Sequence, residues 1–505
     1  MLPVLLKISS SKRDGLKTNL TLVKYCPENG VHYTPVYTVQ MKKQIIILCS
    51  LIILSILLFI SIFRLFQNEK IYYNTIGLVS QNYERTGGWN DYKISKVSKP
   101  YLKIENDNFL QWDASIYNCI KENDYKAEDS CYGKVRAAFF PLFPLMWKMT
   151  GASPIIISII NYLIFVLALS LLIKYLLPNN IYLRATTFIL LITFPTSVIY
   201  MIPYSESLFM LCMTIAVIGL LKAKYPLYFI GALLLAMVRP ATIFVLLAII
   251  SSEIFFFLNK GDFKSSIKNI LSKSLPFPIG YLIVIILQYL SSGSWTAFVD
   301  TQKYWTLGIQ RIVNISDWSV EGFGMNTFSI FFIAIPATVF LIYLGLRIKS
   351  KKQSMVNLID KTKENILLLI SLFYLAGILL FSILTAGGNF HSLFRFIICS
   401  PLFFIVVLIL ISKISSIDTK LLALVFTTLF LLLFTYLSLV DYGGDRLQFS
   451  FVGLFMLVIT SGYILFRRFL SNKLDLIALT LIVIINTIWN SYMLNMYLSN
   501  GWIFT

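Results

Sequence analysis

The chain has 505 residues, of which 57% are hydrophobic and 13% charged. Its apolar runs repeatedly reach the ~20 residues that cross a bilayer, which excludes a soluble globular protein. The formal net charge is +19, but the lysines and arginines lie mostly in short connections between apolar runs, so the charge follows membrane topology and implies no nucleic-acid partner.

The first forty residues are polar, lack the apolar core of a signal peptide and end at Met41-Lys42-Lys43, directly before the first apolar run. We expect residues 1–43 to be a cytoplasmic tail, and Met41 is an alternative start of the protein. Residues 44–492 are predicted to form a single transmembrane domain, and residues 493–505 an external tail.

The hydropathy pattern predicts an all-α polytopic membrane protein with about 11–13 transmembrane helices. The predicted spans are 44–65, 154–173, 184–202, 205–221, 275–291, 326–346, 366–386, 396–412, 421–440, 450–466 and 474–492. The remaining apolar stretch, 227–258, is too long for one ordinary span, and Arg239-Pro240 interrupts it. Proline removes a backbone donor and kinks a helix, so we predict two short helices there.

With the start of the chain inside, this pairing places most basic residues in cytoplasmic connections, as the positive-inside rule requires. It also places a large loop after the first span, residues 66–153, and a second loop, 292–325, on the outside. The segment Phe139–Trp147 is apolar but contains Pro141 and Pro144, so it is predicted to be a re-entrant or interfacial piece.

The loop at 66–153 holds two of the six cysteines, Cys119 and Cys131. An oxidising exterior permits a disulfide between them. Their spacing in the sequence does not show that the two side chains meet. The alternative is that both cysteines are free thiols. His32 and His391 are the two histidines of the chain, and there is no paired-cysteine motif. A zinc site therefore has little to build from.

Ionisable residues at a membrane boundary are costly, and each is a functional hypothesis with a partner to be found. Five such residues are Asp113, Glu206, Arg239, His391 and Arg395. Asp113, Ile116, Tyr117 and Ile120 recur at helical spacing, so an interfacial helix would aim the Asp113 carboxylate at the membrane surface. The alternative is an ordinary solvated aspartate in a polar loop.

Glu206 follows a short turn and begins an apolar run, so it is either a first-turn glutamate favoured by the helix dipole or a substrate ligand. Arg239 and Arg395 lie near the outer ends of apolar helices and need counter-ions. A lipid phosphate suits a guanidinium, and an internal salt bridge to Glu206 or Asp445 is the alternative. From these residues alone, an enzyme that uses a lipid-phosphate donor and a carrier of an anionic lipid both remain open.

Several short motifs occur in a specific order. They are the run from Trp112 to Tyr125, then AFFPLFPLM at 138–146, FPTSVIYMIPYSESLF at 194–209, Arg239, and HSLFRFIICSPLF at 391–403. This order resembles the PIG-V-like mannosyltransferases, which belong to the GT-C membrane glycosyltransferases. The position before Tyr125, often glycine in such proteins, is Asp124 here.

The resemblance implies a GT-C-like fold and inverting transfer of mannose from a polyprenyl-phosphate mannose donor to a glycan or glycolipid acceptor on the non-cytoplasmic face. It implies Asp113 as the catalytic base. The substrate-binding residues it implies are Trp112, Tyr117, Tyr204, Glu206, Arg239, His391 and Arg395. We expect no cofactor and a metal-independent reaction, with a divalent cation left open.

The implied location is a prokaryotic plasma membrane with the active site facing outside, or the membrane of the endoplasmic reticulum in a eukaryote. Transfer of another polyprenyl-phosphate sugar by a GT-C enzyme and transport of a lipid-linked glycan are the alternatives.

Overall fold

The chain folds as a bundle of helices, and a computed structural model describes most of it. The described residues are 36–67, 84–85, 92–93, 104–126, 133–260, 263–305, 328–349, 362–385, 393–414, 418–420, 449–498 and a few positions between 423 and 431. A two-stranded antiparallel ladder, β1 (Glu84–Arg85) and β2 (Tyr92–Lys93), is the strand structure of this part of the chain.

The helices of the first half are α1 (Val36–Phe66), α2 (Asp113–Asn123), α3 (Leu142–Thr150), α4 (Pro154–Leu176), α5 (Ile181–Ile192), α6 (Glu206–Lys222), α7 (Tyr225–Ala236) and α8 (Thr242–Lys260). Those of the second half are α9 (Phe263–Ser274), α10 (Pro276–Ser292), α11 (Ala297–Trp305), α12 (Ile335–Lys349), α13 (Lys363–Thr385), α14 (Leu393–Ile397), α15 (Pro401–Lys413), α16 (Phe449–Phe466) and α17 (Asn472–Leu498). Short 3-10 turns lie at Asn106–Phe109, Gly133–Ala138, Ser197–Met201 and Arg467–Phe469, and a π-type turn at Ser329–Ala334 precedes α12.

Five helical stretches of the described chain are long and apolar enough to cross a membrane. They are Pro154–Leu176, Phe263–Ser292, Ser329–Leu346, Lys363–Leu384 and Asn472–Leu498. Shorter apolar helices, among them α5, α7 and α15, pack between them. The chain is therefore an all-α, membrane-associated protein. The predicted span 421–440 falls largely outside the described residues.

Two helix starts show how the sequence sets local structure. Ser153 and Ser400 are the N-cap residues of α4 and α15, and their side-chain oxygens accept hydrogen bonds from the backbone N–H groups of Ile156 and Phe403. In both helices proline follows the cap, at the first helical position, where its missing N–H costs nothing. Two serine-proline pairs thus mark where apolar helices begin.

The predicted break at Arg239-Pro240 is confirmed. α7 ends at Ala236 and α8 begins at Thr242. The hydroxyl of Thr242 donates to the carbonyl oxygen of Arg239 at 2.7 Å, which closes the turn. The break leaves Arg239 at the junction of two helices, outside the regular part of either one.

The predicted span 184–202 does not form one helix. α5 ends at Ile192, and the chain then runs through an irregular buried segment, residues 193–205, before α6 begins. Pro195 has no backbone N–H to continue the helix. Unpaired carbonyl groups are costly in an apolar interior, and here side chains satisfy several of them. Asn490 donates to the carbonyls of Thr193 and Phe194.

Three further described bounds differ from the predicted ones. α1 begins at Val36, before the predicted span 44–65. The predicted span 396–412 is divided into α14 and α15 by a turn that ends at the cap Ser400. α17 continues to Leu498, into the stretch predicted as an external tail, because its last two turns are buried against the rest of the bundle.

α6 and α7 form a tightly packed antiparallel pair. The helices meet at Gly231, where an added Cβ atom would lie 2.5 Å from the backbone nitrogen of Ala216. No side chain fits at this separation without moving backbone atoms. Since α6 carries Glu206 and α7 leads to Arg239, this close contact sets the distance between the two.

We expect Gly231→Ala to destabilise the protein by roughly 1–3 kcal/mol, the usual cost of overpacking. Gly345 in α12 is the matched control, because a Cβ there would meet no atom within 4 Å. Gly345→Ala should be neutral or stabilising by about 0.5–1 kcal/mol, through lost backbone entropy of the unfolded chain. Thermal unfolding of both variants in detergent tests the pair, and equal melting temperatures would refute the close-contact argument.

The described part of the loop after α1 packs into the core of the helix bundle. Tyr117 of α2 packs edge-on against Phe143 of α3, with ring centroids 5.0 Å apart, and Trp147 is fully buried beside it. α3 is a nine-residue helix, too short to cross a bilayer, as predicted for this segment. Cys119 is disulfide-bonded; Cys131 lies outside the described residues.

Candidate functional site

Asp113 is the first residue of α2, and the bundle holds this helix start in place. The hydroxyl of Tyr497, near the end of α17, lies 3.0 and 3.1 Å from the carbonyl oxygens of Phe109 and Gln111. The side-chain amide of Asn108 donates to the carbonyl oxygen of Leu498 at 3.1 Å. The last helix therefore positions the backbone that leads into Asp113.

The residue before Asp113 has an unusual backbone. Trp112 has φ 53° and ψ −124°, a conformation that side chains with a Cβ rarely adopt and that is typical of functional sites. Its side chain is 40% exposed. Asp124, at the other end of α2, also has a positive φ of 51°, a backbone conformation that glycine adopts more readily than residues with a Cβ.

Glu206 is the first residue of α6, and its side chain is 1% exposed. The irregular segment that precedes it is tied to α4, because the Asn161 side chain donates to the carbonyl oxygens of Ile202 and Tyr204 at 2.7 and 2.9 Å. A carboxylate at a helix N-terminus interacts favourably with the helix dipole. Position and burial thus make Glu206 a rigid part of the structure.

Arg239 and Arg395 both reach Glu206. Nη1 of Arg239 lies 2.9 Å from Glu206 Oε1. Arg395, on the short helix α14, contacts the same oxygen with Nη2 at 2.7 Å and with Nε at 3.1 Å. One carboxylate oxygen thus contacts two guanidinium groups. The predicted internal salt bridge to Glu206 is therefore confirmed for both arginines. The other predicted partner, Asp445, lies outside the described residues.

Arg395 also joins the loop to the bundle. Its Nη2 atom lies 2.9 Å from Oδ2 of Asp113. The side chain of Asp113 is 23% exposed, whereas those of Arg395 and Glu206 are 9% and 1% exposed. Asp113 is therefore the accessible member of a buried ion cluster.

The formal charges of this cluster balance. Asp113 and Glu206 contribute −2 at neutral pH, and Arg239 and Arg395 contribute +2. Ion pairs in a low-dielectric interior are tolerated when each charge is compensated and hydrogen-bonded. Oε2 of Glu206, however, is buried with no hydrogen-bond partner in the described part of the chain. This oxygen is a potential acceptor for a ligand hydroxyl.

Aromatic rings complete the surroundings of the two guanidinium groups. Arg239 lies over the ring of Phe396, 5.2 Å from its centroid, and Arg395 over the ring of Tyr204 at 4.9 Å. The negative face of an aromatic ring stabilises a cation placed over it. Tyr204, predicted as a substrate ligand, thus holds Arg395 in position.

Tyr117 was predicted to bind substrate, and the structure gives it a different neighbour. Its ring is buried, and its hydroxyl donates to Oγ of Ser205 at 2.8 Å. Burial raises the pKa of this phenol well above its usual value, so it stays protonated and keeps the donor. Tyr117 therefore connects α2 to the residue before Glu206 as a positioning residue.

The structure brings together most of the predicted site residues, although they are far apart in the chain. Asp113, Glu206, Arg239 and Arg395 form one ion cluster, with Tyr117 and Tyr204 against it and Trp112 adjacent to Asp113. His391 lies outside the described residues.

Sequence reasoning missed the supporting residues Asn161, Phe396 and Tyr497. A signal existed for the first of these, since an amide inside an otherwise apolar span needs partners and is a functional hypothesis by default. Phe396 and Tyr497 have no such signal, because an aromatic residue in an apolar helix is ordinary.

The described residues contain no group of three or more histidine, cysteine, aspartate or glutamate side chains that could hold a metal ion. Both carboxylates of the cluster instead contact guanidinium groups. The arrangement can accept a proton at Asp113 and offers cations beside it. No family model, curated protein or solved structure matches this chain.

Proposed function

We propose that this protein is a membrane glycosyltransferase that moves a sugar, mannose by the resemblance of its motifs, from a polyprenyl phosphate to an acceptor hydroxyl. The observation that carries the proposal is the position of Arg395 between two carboxylates, the accessible one of Asp113 and the buried one of Glu206. A carboxylate suited to accept a proton and a guanidinium suited to bind a phosphate thus lie side by side. Transfer of another polyprenyl-linked sugar is a variant of the same proposal.

The charges of the cluster support this pairing. Arg239 and Arg395 carry two positive charges. Glu206, which contacts both, compensates one of these charges, and Asp113, which contacts Arg395, compensates the other. The phosphate of a lipid donor would replace Asp113 at Arg395, since a guanidinium binds phosphate with paired charge-assisted hydrogen bonds. Asp113 would then be free to accept a proton.

In the proposed reaction, the acceptor oxygen bonds to the anomeric carbon as the bond from that carbon to the phosphate oxygen breaks. The acceptor proton passes to Asp113. The polyprenyl phosphate leaves with the bonding electrons, and Arg395 and Arg239 stabilise the charge that develops on it. Attack from the face opposite the leaving group inverts the anomeric configuration, through an oxocarbenium-like transition state.

The proposed topology is multi-pass, with the cluster on the non-cytoplasmic side. The distribution of basic residues supports it. Lys174 and Lys222, at the ends of α4 and α6 away from Glu206, belong to the basic connections that the positive-inside rule places in the cytoplasm.

Transport of a lipid-linked glycan is the second candidate. The buried irregular segment 193–205 between α5 and α6 favours it, because transporters bind substrates at interrupted helices. The test is purified protein in sealed liposomes with a panel of polyprenyl-phosphate sugars and glycolipid acceptors, analysed by mass spectrometry. Our proposal requires a new glycosidic product. Movement of a lipid-linked sugar between leaflets without product would establish the carrier instead.

Arg239→Ala should weaken the use of the donor. The remaining cation, Arg395, would have to satisfy Glu206, Asp113 and the donor phosphate together. We expect the apparent KM for the polyprenyl-phosphate sugar to rise by about 10-fold or more, the consequence of losing a charged hydrogen bond of about 1.5–3 kcal/mol. The acceptor KM should change little. Initial rates at varied donor concentration test this, and an unchanged donor KM would count against a phosphate role for Arg239.

A further inference from the structure

A helical hairpin extends from the bundle at the end away from the ion cluster. α8 and α9 run antiparallel, and we call residues 254–258 and 263–272 the hairpin tip. The hydroxyl of Tyr225, the first residue of α7, donates to the carbonyl oxygen of Ser272 at 2.9 Å. The start of α7 therefore lies beside residue 272 of α9. The part of the hairpin before residue 272 projects beyond the start of α7.

The side of α9 that faces the protein is polar. Ser266 is 5% exposed. The side-chain amide of Asn269 donates to Glu253 Oε2 at 3.4 Å, and Lys273 forms an ion pair with Oε1 of the same residue. Glu253 belongs to α8 and is fully buried. A buried carboxylate thus holds the polar face of α9 inward.

The outward side of the hairpin tip carries a stripe of large apolar residues, which is unusual for a helix that faces water. Phe263 and Leu271 are 63% and 65% exposed, and Ile267 between them is also exposed. This four-residue spacing makes a single stripe, and Ile254 and Leu258 of α8 are exposed as well. Such a surface is stable where its surroundings are apolar.

The stripe continues onto a membrane-crossing helix. The helical stretch Phe263–Ser292 has 30 residues, about 45 Å in length, whereas the hydrocarbon core of a bilayer is about 30 Å thick. Leu275, Leu282 and Leu290 carry exposed apolar surface along it. Part of this stretch must therefore lie among lipid headgroups, and the hairpin tip is its end away from the ion cluster.

Lys264 and Lys268 are both exposed and lie along one edge of this stripe, each one position after a residue of the stripe. The described residues of this side include no acidic side chain. Long lysine side chains at such a depth extend their ammonium groups to the headgroup phosphates. Alternating apolar and basic residues are typical of helices that lie in an anionic interface.

We propose that the hairpin tip is a binding surface for anionic phospholipid, with Phe263, Ile267 and Leu271 against acyl chains and Lys264 and Lys268 on the phosphates of the leaflet opposite the ion cluster. This inference stands apart from the reaction proposed above.

The test places a photoreactive benzoylphenylalanine at position 271 of the full-length protein in nanodiscs with equal amounts of phosphatidylcholine and phosphatidylglycerol. After irradiation, mass spectrometry identifies the captured molecule. We expect phospholipid, with phosphatidylglycerol captured at least three times as often as phosphatidylcholine. Lys264→Gln together with Lys268→Gln should retain capture but lose the preference.

The matched control is Lys174→Gln with Lys473→Gln, which removes the same charge from two exposed lysines outside the hairpin tip. It should keep the preference. Three results would overturn the proposal: no capture of lipid, capture of a protein, or equal capture of the two lipids by the protein that retains Lys264 and Lys268.

Discussion

Asp113→Asn should abolish sugar transfer while the protein remains folded. The change removes the proton acceptor and keeps the shape of the side chain. Loss of a general base costs about 10²–10⁴-fold in rate, so kcat should fall by at least 100-fold. The amide oxygen of the substituted side chain can still accept a hydrogen bond from Arg395, and this position is partly exposed, so we expect the melting temperature to change little.

Asp107→Asn is the matched control for this prediction. Asp107 is an exposed carboxylate in the short turn Asn106–Phe109, six residues before Asp113. The same chemical change there should leave transfer intact. Both variants are assayed as purified protein with one polyprenyl-phosphate sugar and its acceptor. If Asp113→Asn retains transfer, the base is another group, and if Asp107→Asn loses it, the loop as a whole responds to charge.

Glu206→Gln should have the largest effect on stability. It leaves Arg239 and Arg395 with Asp113 as their remaining carboxylate, so the cluster changes from neutral to +1. Leaving a buried charge uncompensated costs roughly 3–5 kcal/mol. Because Glu206 is 1% exposed, water cannot replace the lost partner. The measurement is the thermal unfolding temperature in detergent, together with the yield of folded protein.

A second substitution separates the charge effect from the loss of a well-packed side chain. Glu206→Gln combined with Arg239→Gln restores neutrality, with Arg395 facing Asp113. We expect this double variant to be more stable than Glu206→Gln alone, although inactive, with a coupling energy of about 1–3 kcal/mol between the sites. If the stability losses of Glu206→Gln and Arg239→Gln measured singly simply add in the double variant, the Glu206 carboxylate does not hold Arg239.

How much of this protein could be predicted from its sequence depends on the range of the interactions involved. The helix break at Arg239-Pro240, a segment at 139–147 too short to span the membrane and a helix that contains Asp113 were all predictable. Each depends on hydropathy, proline or spacing within a few residues, and such preferences act along the chain without reference to distant partners.

The irregular segment 193–205 shows where this reasoning fails. Hydropathy alone favours a continuous helix there, and Pro195 gives only a local reason for it to end. The alternative backbone is possible because Asn161, Trp489 and Asn490 supply hydrogen bonds from helices far away in sequence. Without those partners, the exposed carbonyl groups would be too costly in an apolar interior.

The sequence singled out the large loop and its aspartate, and the apolar composition and hydropathy determined by themselves that this is a helical membrane protein. The tertiary structure alone decided that Asp113 and Glu206, 93 positions apart in the printed chain, share the guanidinium of Arg395. Apolar periodicity directs a helix into the membrane but does not select its neighbours. The choice is made by contacts such as Gly231 on Ala216 and Tyr497 on the backbone before Asp113, which depend on shape and hydrogen bonding across the whole bundle.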